Sequence, residues 1–458
     1  MKYSKYTVAL IMLLSFKRDV SPLLKLSAPL ILTGLIQSSL PFIENIFLAQ
    51  LGSQVLAASA LVSWLFFTMI GILFGIFSSV NVLVSHQYGA NNHAGISLIL
   101  RDALLLAIFL TPPAFILFWN AADFFLLFGQ NPELVTLAKL YLHGLAWGLF
   151  PKFILIVAFE LLMGLGHSRT IMIFSTLTIP VYILFSYVLI FGKFGFPMLA
   201  IAGVGWGMTF ADWLIAMVAC LLLWHTKRYK LYSRSIFSFK KPFSIWEMLH
   251  IGLPMGGMYC VETGYFFAMT LLMGWIGVAT LAANQIVMQY AGALTSVVFS
   301  TSQAITVRMG HLLGAKDVKG AEKAAYAGIS FSFIFMLFIA LLYWFIPDML
   351  ISVDFDVTNP NNSEIVRLTT TFLFIAAFFQ IFESVRLSLF GALRALKDTH
   401  YTFITSVISF WCIALPGGYL FSIPLGFGGK AFWWFMVAGA LFSVMLLVRR
   451  FKIKMKMS

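Results

Sequence analysis

The sequence predicts an all-α polytopic membrane protein: twelve transmembrane helices in two six-helix lobes, related by a pseudo-two-fold axis along the membrane normal. Three observations predict it. Only 10% of the 458 residues are charged and 61% are hydrophobic, against about 25% charged in a soluble chain. Apolar runs long enough to cross a bilayer recur almost end to end, and about 20 apolar residues suffice for one crossing. The chain also repeats itself at an offset of 225 residues: Pro29 falls on Pro254, Gly52 on Gly277, His86 on His311 and Gly95 on Gly320.

Taken in order, the spans fall near 23–50, 56–86, 96–120, 134–164, 170–191, 199–226, 247–275, 279–309, 322–346, 364–393, 400–422 and 430–448. Residues 1–22 carry Lys2, Lys5 and Lys17-Arg18-Asp19 around a short apolar run. No small-residue cleavage site follows, so they read as a retained, interfacial segment rather than a signal peptide. Spans 1–6 make an N-lobe over 23–226, a basic linker runs over 227–246, and spans 7–12 make a C-lobe over 247–458. Pro29, Pro41, Pro180, Pro254 and Pro416 fall in or near spans, where a proline frees a backbone carbonyl and permits a bend. Bends at Pro29 and Pro41 would bracket the middle of span 1.

A net charge of +13 does not point to nucleic acid, because the basic residues lie in short loops between apolar helices. Of 30 Lys and Arg, 24 fall on one set of loops, four on the other (Lys139, Lys193, Arg367, Lys430) and two at membrane depth (Lys152, Arg386). The excess marks the cytoplasmic side, which holds both termini and the linker. The outer loop between spans 9 and 10 is acidic, with Asp348, Asp354, Asp356 and Glu364. Cys220, Cys260 and Cys412 sit in apolar runs with neither disulfide nor metal-ligand spacing. A monomer is expected, with the bilayer as its surroundings.

The repeat also includes Phe42 on Phe267, Leu56-Ala57-Ala58 on Leu281-Ala282-Ala283, and Gly89-Ala90 on Gly314-Ala315. Each half has an even number of spans, so both share one orientation. Chains built from such repeats bind cargo near mid-membrane and rock one half against the other. His86 and His311, being repeat-related, read as helix-end residues.

Of the acids within spans, five stand out: Glu44, Glu160, Asp212, Glu262 and Glu383. A carboxylate at mid-bilayer is costly and faces a partner or a cavity. Glu262 and Glu383, on spans 7 and 10, would share a low-dielectric site that holds a proton, or a cation such as sodium between them. Gln380, Gln285 and Gln289 offer neutral oxygen ligands. Glu44, beside Pro41, is the corresponding first-half acid, and Asp212 on span 6 is a second proton or cargo candidate. The structural alternatives are a Glu383–Arg386 pair three residues apart on one helix, and a Glu160–Lys152 pair two turns apart. With 21 Met and 48 Phe, an aromatic-lined cleft holding a carboxylate would favour lipophilic cations.

The runs LSAPLILTGLIQSSLPFIENIFLAQLG, IGLPMGGMYCVET, LAANQ and GALRALKDT resemble those of the multidrug and toxic compound extrusion (MATE) transporters, in order and spacing, over nearly the whole chain. The resemblance implies an inner-membrane antiporter, coupled to protons or sodium, that exports organic cations and drugs without a cofactor. It gives Glu44, Glu262 and Glu383 the family's acids of spans 1, 7 and 10, and Gln285 its span 8 glutamine. Acids on both spans 7 and 10 are similar to the NorM-like branch, where they are implicated in binding the coupling ion. Departures are Glu44 where Asp is common, a span 5 stretch offering Tyr182, Ser186 and Tyr187 where relatives carry Asn, and the additional Asp212 and Arg386. The altered span 5 and Asp212 lean toward protons.

Two other readings compete. A flippase of a lipid-linked saccharide would need a basic central cavity, whereas this chain sets five acids against two bases at membrane depth. A polytopic membrane enzyme would need a cluster of His, Asp, Ser or Cys at one membrane face. No nucleotide-binding motif suggests an ATP-driven pump.

Overall fold

The computed structural model describes residues 5–127, 129–233, 244–353, 357 and 359–457. Lys2, Asp354 and Asp356, named above, and residues 234–243 of the linker lie outside them. The described residues form helices and turns, with no β-strand among them. In chain order the helices are α1 (Lys5–Gln37), α2 (Ser39–Ala49), α3 (Ser53–Phe77), α4 (Ser79–Gly89), α5 (His93–Leu127), α6 (Pro132–Ala146), α7 (Leu149–Gly164), α8 (Ser168–Phe191), α9 (Ile201–His225) and the short α10 (Lys230–Ser233). The second half adds α11 (Ile245–Ile276), α12 (Val278–Gly314), α13 (Val318–Phe345), α14 (Pro347–Ile351), α15 (Ser363–Ala395), α16 (Thr399–Ser406), a π-helical stretch Val407–Ala414, α17 (Leu415–Ser422) and α18 (Lys430–Met457).

All twelve spans are present. Nine helical stretches among the described residues are long and apolar enough to cross a membrane, ten when the bent pair α6–α7 is one span. The other two, α11 and α12, are 32 and 37 residues long and more polar, because they carry Glu262, Asn284, Gln285, Gln289 and Gln303. The N-terminal segment is continuous with span 1 in α1, which contains both Pro22 and Pro29. Span 1 breaks at Ser38, between α1 and α2. Pro41 lies four residues beyond Gln37, whose carbonyl it cannot serve.

The repeat reappears in the backbone. Asn91 and Lys316, 225 residues apart, both adopt positive φ, at 54° and 62°. Before each, an alanine amide closes on the histidine carbonyl, Ala90 on His86 and Ala315 on His311. After each, an Asx side chain caps the next helix: Asn92 Oδ1 accepts from Gly95 N at 3.0 Å, and Asp317 Oδ1 from Gly320 N at 2.8 Å. The paired histidines thus sit at helix ends.

Packing divides the chain into residues 32–252 and a second unit of 1–31 with 253–458. The sequence places the change of half in the linker at 227–246. The packing instead changes beside Pro29 and Pro254, the repeat-related prolines. In the 32–252 unit, the start of α11 is held by Asp102, whose Oδ2 accepts from Ser244 N at 2.7 Å and Ser244 Oγ at 3.0 Å. In the other unit, Val20 and Leu23 are buried with Ile305, Met309, Ala321 and Phe390.

The second unit is built on α12 against α15. At their crossing Gly391 has no room for a side chain: a Cβ there would lie 2.3 Å from the Ser302 carbonyl oxygen. Ser302 Oγ donates to the Leu387 carbonyl at 2.6 Å and Thr306 Oγ1 to that of Gly391 at 2.9 Å. Small residues with hydroxyl cross-links are how membrane helices approach closely.

Candidate functional site

In the second unit, the two mid-depth acids meet one base. Arg386 on α15 donates from Nε and Nη2 to both oxygens of Glu383, at 2.7 and 2.5 Å, and from Nη1 to Glu262 Oε1 at 2.7 Å. Ser406, the last residue of α16, donates to Glu262 Oε1 at 3.1 Å and lies 3.4 Å from Arg386 Nη1. The guanidinium is flanked by the rings of Phe390 and Phe410, at 4.6 and 4.8 Å from their centroids. Phe410 is carried by the π-helical stretch, a widening that recurs at functional sites. Arg386 is 1% exposed, Glu383 7% and Glu262 16%, so Glu262 is the member most open to solvent or cargo.

Arg386 therefore pairs with Glu383 on its own helix, as their spacing offered, and also reaches Glu262, which the sequence did not offer. A sodium ion prefers a shell of oxygen ligands. Here three of the four carboxylate oxygens accept from guanidinium N–H groups. Of the glutamines, Gln380 is buried and donates to the Ala291 carbonyl at 3.1 Å rather than to a member of the cluster, while its Oε1 has no partner. Gln285 and Gln289 lie on the exposed face of α12. The structure brings together Glu262, Glu383 and Arg386, and leaves the glutamines outside.

The 32–252 unit holds a second cluster. Span 4 bends by 55° between α6 and α7, because Pro151 cannot serve the Trp147 carbonyl. At the bend Gly148 is pressed onto α9, where a Cβ would lie 2.6 Å from Thr209 Oγ1. Lys152 follows, and its ammonium reaches Asp212 Oδ1 at 2.8 Å and the Tyr182 hydroxyl at 3.2 Å. Tyr182 in turn donates to Asp212 Oδ1. Glu44 on α2 accepts from Ser186 Oγ at 3.3 Å, one helical turn along α8 from the Tyr182 that bonds Asp212. Tyr182 and Ser186 thus serve different acids, and Tyr187 packs on Phe47.

This corrects one pairing offered by the sequence. Lys152 takes Asp212, not Glu160, as its acid. Glu160 accepts from Asn81 Nδ2 at 2.5 Å, joining α7 to α4. Sequence reasoning missed Lys152–Tyr182–Asp212 because its members lie 30 residues apart on three helices, and no helical spacing links them. It also missed Ser406, Phe390, Phe410 and Asn81 as supports.

With both clusters described, comparison with known proteins adds the family. The MatE family profile matches residues 29–188 and 254–420, two stretches whose starts differ by the repeat offset. The probable multidrug resistance protein NorM of Mesorhizobium japonicum is 30% identical over 442 residues, covering 95% of this chain and 94% of the relative. That of Pseudomonas aeruginosa is 31% identical over 429 residues, covering 92% and 86%. Among solved structures, an outward-facing multidrug resistance MATE family transporter superposes with a TM-score of 0.85 at 17% identity, covering 96% of each chain. A MATE in a bent conformation gives 0.86 at 17% identity, covering 96% and 97%. A profile covering most of both halves, with relatives similar from end to end, shows that the chain belongs to the MatE family, as a multi-pass membrane transporter and not an enzyme.

Proposed function

We propose that this transporter is a proton-coupled antiporter exporting organic cations and drugs by alternating access. Its relatives are named as multidrug resistance proteins. Five acids against two bases at membrane depth favour cationic cargo. The observation that carries the choice of coupling ion is Arg386 held between Glu262 and Glu383.

The guanidinium keeps its charge at any accessible pH. With both carboxylates ionised, the trio carries one net negative charge in a low-dielectric setting, which is costly. One monovalent charge cancels it. A proton shared by the two carboxylates does so without any new ligand shell around Arg386. A sodium ion would have to displace guanidinium N–H groups to collect oxygens. An organic cation arriving beside Glu262 removes the reason to hold the proton. Proton and cargo thus compete for one negative charge, which is the logic of antiport. Both termini and the linker are cytoplasmic in this reading, in the inner membrane of a bacterial cell, as the 24-to-4 partition of basic residues supports.

Efflux from proteoliposomes under separately imposed gradients tests the proposal. A pH gradient alone should drive export of a lipophilic cation, and a sodium gradient at equal pH should not. Export driven only by sodium would overturn the coupling, and transport of neither kind would overturn the function.

A further inference from the structure

We propose that Lys152 is a specificity-determining residue: a tethered cation that restricts the first-half site to cargo of single positive charge. The inference rests on the cation-export reading above and concerns the other half of the molecule.

The cluster in the 32–252 unit consists of Glu44 and Asp212 with one base, Lys152. It has the composition of the second-half trio, and its base stands on span 4 as Arg386 stands on the repeat-related span 10. The two bases differ in freedom. Arg386 is 1% exposed, stacked between two aromatic rings and forked onto Glu383. The Lys152 side chain is 22% exposed while its partner Asp212 is 3% exposed. A lysine at mid-span that remains exposed faces a space that water or cargo enters, since lipid would not tolerate the charge. Its ammonium sits 5.1 Å from the Tyr182 ring centroid on a flexible four-carbon stem. The charge therefore stands at the wall of the site, held by Asp212 and Tyr182.

With both carboxylates ionised, they and one ammonium leave a single negative charge, which cargo or a proton neutralises. A monocation balances it. A dication brings a second charge that meets Lys152, and like-charge juxtaposition at a desolvated site is a strong source of discrimination. Removing the ammonium leaves two negative charges, and the preference should then move toward dications.

The test is equilibrium binding to purified protein of two probes, the monocation tetraphenylphosphonium and the dication methyl viologen, across variants of stepped charge. Wild type carries one net negative charge at the cluster, Lys152→Met two, Lys152→Met with Asp212→Asn one, and Asp212→Asn none. Lys152→Arg preserves the wild-type charge. The dication-to-monocation affinity ratio should rise about tenfold or more in Lys152→Met, and return to the wild-type value in the double variant and in Lys152→Arg. An unchanged ratio in Lys152→Met, or a raised ratio that persists in the double variant, would overturn the proposal. If Lys152→Met does not fold, the remaining pair decides. Asp212→Asn should lose monocation affinity about tenfold, and adding Lys152→Met should restore it; no restoration overturns the proposal. Binding is read without any gradient, so failure of proton coupling leaves this result separate.

Discussion

Replacing Arg386 by glutamine should convert the second-half cluster from an internally neutralised site into one that binds a metal cation. In the wild type, Arg386 donates three bonds of 2.5–2.7 Å to Glu262 and Glu383 and is itself 1% exposed. Glutamine leaves the Glu262 and Glu383 carboxylates without the cation they share. Breaking a buried ion pair by removing one partner costs about 3–5 kcal/mol, and ligand binding to the folded state alone returns about 2.7 kcal/mol at a hundredfold excess over Kd. Thermal unfolding of purified protein, in sodium chloride against choline chloride at equal ionic strength, measures both effects. The wild type should melt at the same temperature in both salts. Arg386→Gln should melt well below it in choline and recover much of the loss in sodium. A variant as stable as wild type in choline, or a sodium response of equal size in both proteins, would refute the claim that Arg386 stands where a coupling cation would.

Further outcomes follow from the packing. Gly391→Ala should destabilise by about 1–3 kcal/mol, since its Cβ would sit 2.3 Å from the Ser302 carbonyl oxygen, whereas alanine at Gly34, which has nothing within 4 Å, should not; melting temperatures compare the two. Asn81→Asp sets a second carboxylate against Glu160, so one of the pair must take a proton; its stability deficit against wild type should grow as pH rises, as melting at several pH values would record. Asp102→Ala removes the acceptor of the Ser244 amide and hydroxyl and breaks the buried pair with Arg101; it should cost about 3–5 kcal/mol, with faster hydrogen exchange at the first turn of α11. Asp398→Ala should cost no more than about 1 kcal/mol, because its partners Arg450 and Lys454 are about one-third exposed.

Much of the fold was legible because the bilayer imposes it. Twelve apolar runs, the asymmetry of Lys and Arg, and the alignment of Pro29 with Pro254 and of His86 with His311 are one-dimensional signals, and each has a counterpart in the helices and turns. The second-half trio was half legible. Arg386 follows Glu383 by three residues, so their pairing could be read from one helix, but the reach to Glu262 spans 124 residues and depends on tertiary packing. The first-half trio was not legible as a unit. Lys152 and Asp212 each stood out as charges in apolar runs, yet the bend at Gly148–Pro151 and the crossing at Thr209 decide that they meet. Glu160, offered as the nearer partner, is drawn to Asn81 instead. Nor does linker composition reveal where packing changes from one unit to the other. A run of basic residues marks a loop and its side of the membrane, whereas the division at Gly252 follows from where the first turns of α11 find their neighbours. The π-helical stretch 407–414 reads in sequence as an ordinary apolar run. Its widening reflects packing around Phe410.

The central claim is that cargo and proton compete for one negative charge at Glu262, Glu383 and Arg386. The most direct measurement adds tetraphenylphosphonium to purified protein in weakly buffered solution and follows proton release with a pH indicator. The account predicts about one proton released per cation bound at this site in the wild type. It predicts none there in Glu262→Gln, where Arg386 and Glu383 already balance. Cation binding to the wild type with no proton released, or release that is unchanged in Glu262→Gln, would contradict it.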